Sequence, residues 1–477
     1  MRKILESVIL LLILVSLFSI AFAQWEPDVR LTWNDSSSTT SFNNVRNIAA
    51  GSNGTLHVVW VDCRTGVSQI YYKRSTNRGT TWSPDTNLTD ANGLKADPNL
   101  AVVGETLHLV WEDHRWGYPG AIMYRKSTDN GITWLPEQCI NANNWNSRNP
   151  AVAAEGSIVH VAWASDSVGR EIYYIRSTDN GVTWTDRRRL TFDMQESWYP
   201  SIAASGQFVH LAWRDWRDHS FEIYYLRSTD RGATWDSIPI RISGDLTTGS
   251  YNPSLCVSDS YVHIVWFDTR HTPFELYYRH SSNNGRTWDM PEMRLTEDPS
   301  GSYNPTICAD GPNIHVVWEA LLGTSDIYHK MSTNYGTTWG PETRLTNDEF
   351  YSVFPSAALL DSGIHVVWTD FRDNEYGEIY YKKNLRGNRV AIADSSKPIF
   401  DYPHLSATIV GSVLFLPRIS NDKENTSCFL INITGQKVKK LLPGPNDIRE
   451  LTSGIYFILQ QNRKGDWRLE KKIVIQH

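Results

Sequence analysis

Cysteine is scarce in this chain of 477 residues. There are five, at 63, 139, 256, 308 and 428, too few and too irregular for a disulfide framework. Blocks of lysine and arginine are absent and the net charge is −6, so the electrostatic footprint of nucleic-acid binding is missing. Beyond residue 23 no apolar run is long enough to cross a membrane, and no retained transmembrane helix is expected. No stretch carries the 3.6-residue apolar period of a long amphipathic helix. Paired histidines of the zinc-protease type are lacking, and the Asp-x-Gly turns have no terminal Glu of a calcium loop. No metal and no cofactor is therefore expected.

What is abundant is tryptophan, with 20 residues, and most of it is periodic. One eight-residue phrase occurs six times: Ser75–Trp82, Ser127–Trp134, Ser177–Trp184, Ser228–Trp235, Ser281–Trp288 and Ser332–Trp339. A period near 50 with β-type patterning means one supersecondary unit stacked many times, as in propellers. The phrase reads as a hairpin turn: Ser/Thr and Asp/Asn side chains bond to backbone, Gly takes positive φ, and Trp anchors the turn on the blade. The full unit runs Pro, His-(apolar)₂-Trp, Asp-x-Arg, Ile-Tyr-Tyr, the turn, then Arg-Leu-Thr. Seven His-x-x-Trp copies exist, from His57/Trp60 to His365/Trp368. Their short β-branched and aromatic runs predict four antiparallel strands per unit and seven units.

Unit seven lacks the turn and its Arg-Leu-Thr strand. Pro27–Thr32 matches the missing strand, so the N-terminal strand is expected to complete the last blade and close a seven-bladed all-β ring over residues 24–389. Closure removes the open ends that a linear repeat array must cap.

The first 23 residues read as a cleaved signal peptide: Arg2-Lys3, an apolar stretch Val8–Ile20, and Ala21-Phe22-Ala23 before Gln24. The protein is then secreted or held at the outer-membrane surface. Residues 390–399 read as a linker, and 400–477 as a separate small β-sandwich-like domain with strands at Cys428–Ile433, Gly454–Gln460 and Lys471–Gln476. Three segments of it, Ile433–Val438, Leu451–Tyr456 and Lys471–Ile475, resemble the C-terminal sorting domain of type IX secretion. That resemblance implies export with the secretion machinery as partner; a structural or sugar-binding β-sandwich is the other reading.

The six turns resemble the Asp boxes, or BNR repeats, of the sialidase superfamily. Asp boxes are structural and lie away from the active face, so they imply a fold and not a chemistry. Sialidases have six blades, whereas seven units are counted here. Their Arg-Ile-Pro motif is also missing: Arg46, in Asn44-Val-Arg-Asn-Ile48, is the nearest match. The family's arginine triad, acid Asp and Tyr/Glu pair are not carried over.

Five units hold Asp-x-Arg after the Trp. Positions i and i+2 share a strand face, so each can form a structural salt bridge. The alternative is an arginine ring that clamps a sugar carboxylate or sulfate, with Arg115, Arg217 and Arg270 as its members. The blade-entry loops should open on the same face. Trp116, Trp145, Trp198 and Trp216 are then the candidate stacking platforms for a glycan or polysaccharide. Catalysis of the sialidase kind would use Tyr251 or Tyr303 with Glu319 or Glu112, although no spacing selects a pair. The functional expectation is a sialidase-like propeller that binds or acts on glycans. The alternatives are a non-catalytic propeller for adhesion or protein interaction, and a polysaccharide lyase or another glycosidase.

Overall fold

The computed structural model describes residues 25–384, apart from 43–45, 90–91, 118–119, 142–145, 167–168, 193–194, 245–247, 298–299 and 362, together with seven strands between 408 and 475. The chain divides into two compact units, Met1–Ala391 and Ile392–His477. The expected signal segment lies outside the described residues, as does the linker.

The first unit is a seven-bladed β-propeller. Blade four shows the plan. Its strands Ser197–Ser205, Phe208–Asp215, Glu222–Ser228 and Ile240–Arg241 pair in chain order, each antiparallel to the next. The first strands of all seven blades surround one central channel. In blade one that inner strand is split into Ser38–Thr39 and Ile48–Ala50, both paired with Leu56–Asp62.

Ring closure follows the expectation. Val29 pairs with Tyr381 and Arg30 with Tyr380, so the N-terminal strand is the outer strand of blade seven. The Arg-Leu-Thr phrase explains its own side chains. Arg30 bonds the buried Glu378 carboxylate (2.8 Å), Thr32 donates to its other oxygen, and Ile379 N–H donates to Thr32 Oγ1 (2.9 Å). The same Arg–Thr grip on a buried Glu recurs at Arg189/Thr191 on Glu171 and at Arg294/Thr296 on Glu275.

The repeat histidines are structural. Each of six buried imidazoles shares a hydrogen bond with a tyrosine hydroxyl of the same blade, from His57–Tyr72 (2.7 Å) to His365–Tyr381 (2.6 Å). The Asp-box Trp anchors differently from the expectation. It packs on the preceding blade, edge-on to that same tyrosine, as in Trp134–Tyr72 (5.2 Å) and Trp235–Tyr174 (5.0 Å). The Asp-box Gly completes the staple. A Cβ on Gly131 would fall 1.8 Å from the Tyr72 hydroxyl, and Gly131 has φ +76, so no other residue fits. Blade seven has no Asp box, and blade six correspondingly replaces the tyrosine by His329, against which Trp25 of the N-terminal segment packs at 5.1 Å.

The second unit holds a five-stranded sheet in the order Thr408–Val410, Trp467–Ile475, Gly454–Gln461, Cys428–Asn432, Lys437–Leu441, and a pair Val413–Leu416 with Gly444–Asp447. The strands expected at Cys428–Ile433, Gly454–Gln460 and Lys471–Gln476 overlap three of these, with Ile433 and Gln476 outside the described residues.

Candidate functional site

The turn after each blade's second strand and the connection entering each blade emerge at one end of the barrel of strands. The repeated Ser-to-Trp turns occupy the opposite end, after the third strand. At the first end the Asp-x-Arg pairs close on themselves. Asp215 accepts from Trp213 Nε1 (2.7 Å) and from Arg217 Nε and Nη2 (2.8 and 2.7 Å), and the guanidinium lies 4.1 Å over Tyr224. Arg64, Arg115, Arg270 and Arg372 are held by their aspartates in the same way. Of the two readings of this motif, the salt bridge is the one the geometry displays. Arg115, Arg217 and Arg270 already have partners on at least two sides.

Two other positions of the unit build the channel mouth. The first is the residue before the repeat proline. Proline has no N–H for the ladder, so the inner strand bulges there. In six blades the preceding residue takes positive φ: Asp97, Asn149, Tyr199, Asn252, Asn304 and Phe354, at 46 to 54°. For tyrosine and phenylalanine this is a strained conformation, on the order of 1–3 kcal/mol each. The bulged side chains meet around the ring. Asn149 Nδ2 donates to Asp97 Oδ2 (2.9 Å) and Asn252 Nδ2 to Asn304 Oδ1 (2.9 Å). Phe42, from the break in blade one's inner strand, contacts both Tyr199 (6.3 Å) and Phe354 (5.5 Å).

The second is the residue that directly follows the invariant Trp. It reads Val61, Glu112, Ala164, Arg214, Phe267, Glu319 and Thr369, a different residue type in nearly every blade. Each pairs across the ladder with a blade-entry residue: Trp198 with Arg214, Tyr251 with Phe267, Tyr303 with Glu319, Arg148 with Ala164. The mouth is therefore asymmetric although its scaffold is not.

Arg214 is the centre of this asymmetry. Its guanidinium lies 4.1 Å from Phe221, 4.8 Å from Tyr199, 5.3 Å from Tyr251 and 5.9 Å from Trp198. Its Nε is buried without a hydrogen-bond partner. Among the described residues its side chain has no ion pair, because Glu196, the nearest acid, is taken by Arg170 Nη1 (2.9 Å) and Trp198 Nε1 (3.0 Å). Desolvation accordingly pulls the Arg214 pKa down. Burial pushes the Tyr199 hydroxyl up, and Arg214, Arg148 and Arg170 pull it back.

Two carboxyls of the mouth are held near neutrality. Burial, and then the charge of Glu112, raise Asp97 to about 7. Burial raises Glu319 to about 7 against hydrogen bonds from Phe354 N (2.9 Å) and Asn304 Nδ2 (2.8 Å). Such groups can hold or release a proton at physiological pH.

The sequence-derived candidates fall as follows. Trp198, Tyr251, Tyr303 and Glu319 line the mouth. Tyr251 stacks on Phe267 (5.2 Å), and one face of Trp198 is covered by Arg170 at 3.4 Å. Trp216 packs edge-on to Phe221 (4.5 Å), whereas Trp116 is half exposed beside Arg115. Trp145 lies outside the described residues. Arg214, Tyr199 and Asp97 were not among the chosen site residues. The signal that marks Arg214 is internal: it directly follows the Trp that all seven units share, at a position whose residue type changes from unit to unit. Among the described residues no cluster of three or more metal-ligating side chains occurs.

The fold and mouth define a seven-bladed propeller with an aromatic, cation-bearing opening at the end opposite its repeated Ser-to-Trp turns. No family model and no curated protein matches the chain. Among solved structures it is similar to an ulvan lyase of polysaccharide lyase family PL25 bound to -[GlcA(1-4)Rha3S]-, at 10% identity and TM-score 0.53, over 74% of this chain and 95% of that one. The polysaccharide lyase Uly1 matches at 9% identity and TM-score 0.54, over 76% and 100%. A protein of unknown function from Dyadobacter fermentans DSM 18053 matches at 15% identity and TM-score 0.50, over 76% and 98%. At these identities the likeness is one of fold.

Proposed function

We propose that the protein is a secreted or surface-displayed propeller that binds an acidic glycan at the channel mouth and acts on it there. Arg214 carries the reading: a half-buried guanidinium with no ion pair among the described residues, walled by aromatic rings, is complementary to a sugar carboxylate or sulfate whose ring lies against those faces. Tyr199, beside three arginines, would supply the base or nucleophile, and Asp97 or Glu319 the acid. The two lyases of similar fold, one of them bound to an acidic saccharide repeat, support the ligand class. A sialidase-like hydrolysis and a lyase-type elimination both suit a tyrosine beside arginines, and the products distinguish them.

The test is a panel of sialylated, uronic-acid, sulfated and neutral glycans, with products read by mass. Acidic members should bind and neutral ones should not. Arg214→Ala should weaken binding by about 10–100-fold, the loss of one charge-assisted pair, with little change in Tm. Trp213→Ala, one residue away but fully buried, should instead destabilise by about 3–5 kcal/mol. Binding of neutral glycans alone, or full binding by the Arg214 variant, would remove the proposal.

The C-terminal unit we read as the sorting domain, with the secretion machinery as its partner. Removing residues 400–477 should leave the propeller folded by circular dichroism and stop its delivery to the cell surface. Normal delivery of the truncated chain would refute this.

A further inference from the structure

Below the mouth, the segment that breaks blade one's inner strand sends Arg46 into the channel. Arg46 borders two cavities. One, of about 10 Å³, is walled by Asn99, Ser201, Ser254 and Thr306 among others; the second, of about 300 Å³, is walled by aliphatic side chains with Cys256 and Cys308. No Asp or Glu lines either one. Among the described residues the Arg46 guanidinium makes no hydrogen bond or ion pair. The ionisable groups facing it are the two thiols, and burial pushes Cys308 up to about 12 and Cys256 higher, so neither supplies a negative charge at neutral pH.

The polar wall offers donors. Ser201 Oγ accepts from Leu255 N (3.0 Å) and Ser254 Oγ from Ile307 N (3.2 Å), and among the described residues neither hydroxyl hydrogen has an acceptor. A channel cation that is only partly exposed, with spare donors beside it and no acid among the described residues lining its cavities, lacks a counter-charge, and such a charge is costly to leave uncompensated. The smaller cavity has room for one water-sized sphere. We propose that the propeller channel holds a monatomic anion of chloride size between Arg46 and the Ser201 and Ser254 hydroxyls. The site is separate from the glycan mouth and does not depend on that reading.

The test uses the whole protein exchanged into sodium gluconate. Chloride, bromide or sulfate is then titrated in at constant ionic strength and Tm is followed. Chloride and bromide should raise Tm along a saturating curve, and sulfate should not. In Arg46→Met the halide response should disappear. Should that variant fail to fold, crystals of the unchanged protein soaked in bromide decide the matter, with an anomalous peak expected beside Arg46. A flat Tm response to halides, a response to sulfate alone, an unchanged response in the variant, or no bromide peak at Arg46 would each overturn the assignment.

Discussion

Deleting residues 24–35 should cost the propeller on the order of 5–10 kcal/mol, comparable with the whole stability of a domain. The strand Val29–Arg30 is two residues long, but its loss reaches further. Buried Leu31 leaves a cavity, about 2–5 kcal/mol for a leucine. Glu378, fully buried, loses Arg30 and Thr32 together, and stranding a buried charge costs roughly 3–5 kcal/mol. Arg372 and Lys382 lose Asp28, and His329 loses Trp25. The third strand of blade seven becomes an open edge, prone to pairing with other chains. Urea unfolding and light scattering should show a chain that aggregates or melts far below the full-length protein. A synthetic peptide of residues 24–35 should restore part of the loss. An unchanged urea midpoint would mean that closure contributes little.

Acid should unfold the propeller steeply between about pH 6 and pH 4. Burial lowers the pKa of His57 and His108 from 6.5 to about 4, and of His160, His210, His263 and His365 to about 3. These imidazoles stay neutral in the folded protein but take protons once exposed. Across that window the unfolded chain binds the extra protons, and stability falls as pH falls. Three buried carboxyls oppose this. Asp97, Glu222 and Glu319 are raised to about 7, so the folded state holds their protons and gains as pH drops toward the ordinary carboxyl range. With His329 also held neutral by burial, seven imidazoles against three carboxyls leave a net uptake of about four protons on unfolding near pH 5, or roughly 5 kcal/mol per pH unit. Unfolding free energies measured at intervals from pH 5.5 to 4.5 should follow that slope. A flat profile would mean that the histidines are charged in the fold. Replacing His210 and Tyr225 together by a shape-matched apolar pair should shallow the slope by about one proton.

Much of the scaffold was legible because repetition averages out local ambiguity. A lone Val-His-Leu-Ala-Trp run could be strand or helix; seven copies at one spacing, six of them preceded by Pro and five followed by Asp-x-Arg, cannot be helix. Closure was legible for the same reason, since Pro27–Thr32 matched a strand that unit seven lacked. The staple was less so. That the Asp-box Trp rests on the neighbouring blade's tyrosine depends on how blades stack, and no spacing within one unit states it.

The mouth was legible only in part. Blade-entry aromatics were expected on the face of the Asp-x-Arg loops, because strand alternation fixes which loops share an end. Arg115, Arg217 and Arg270 carried the right chemistry for an anion, and the structure gives each an aspartate and a tyrosine ring. Arg214 looked unremarkable beside them in sequence, as one residue between a Trp and an Asp. Its value comes from what surrounds it: Phe221, Tyr199 and Tyr251 are brought around it by separate turns and a neighbouring blade, while the one nearby acid is engaged elsewhere.

The amino-acid sequence by itself determined the period, the strand content, the blade count and the closing strand, since these follow from local patterning and from copies that can be compared with one another. Only the tertiary structure decided which cations are free. Pairing depends on distances between side chains far apart in the chain, so a repeated arginine proved satisfied within its own blade, while Arg46 and Arg214, each unlike its counterparts in the other units, face the channel without an acid partner among the described residues.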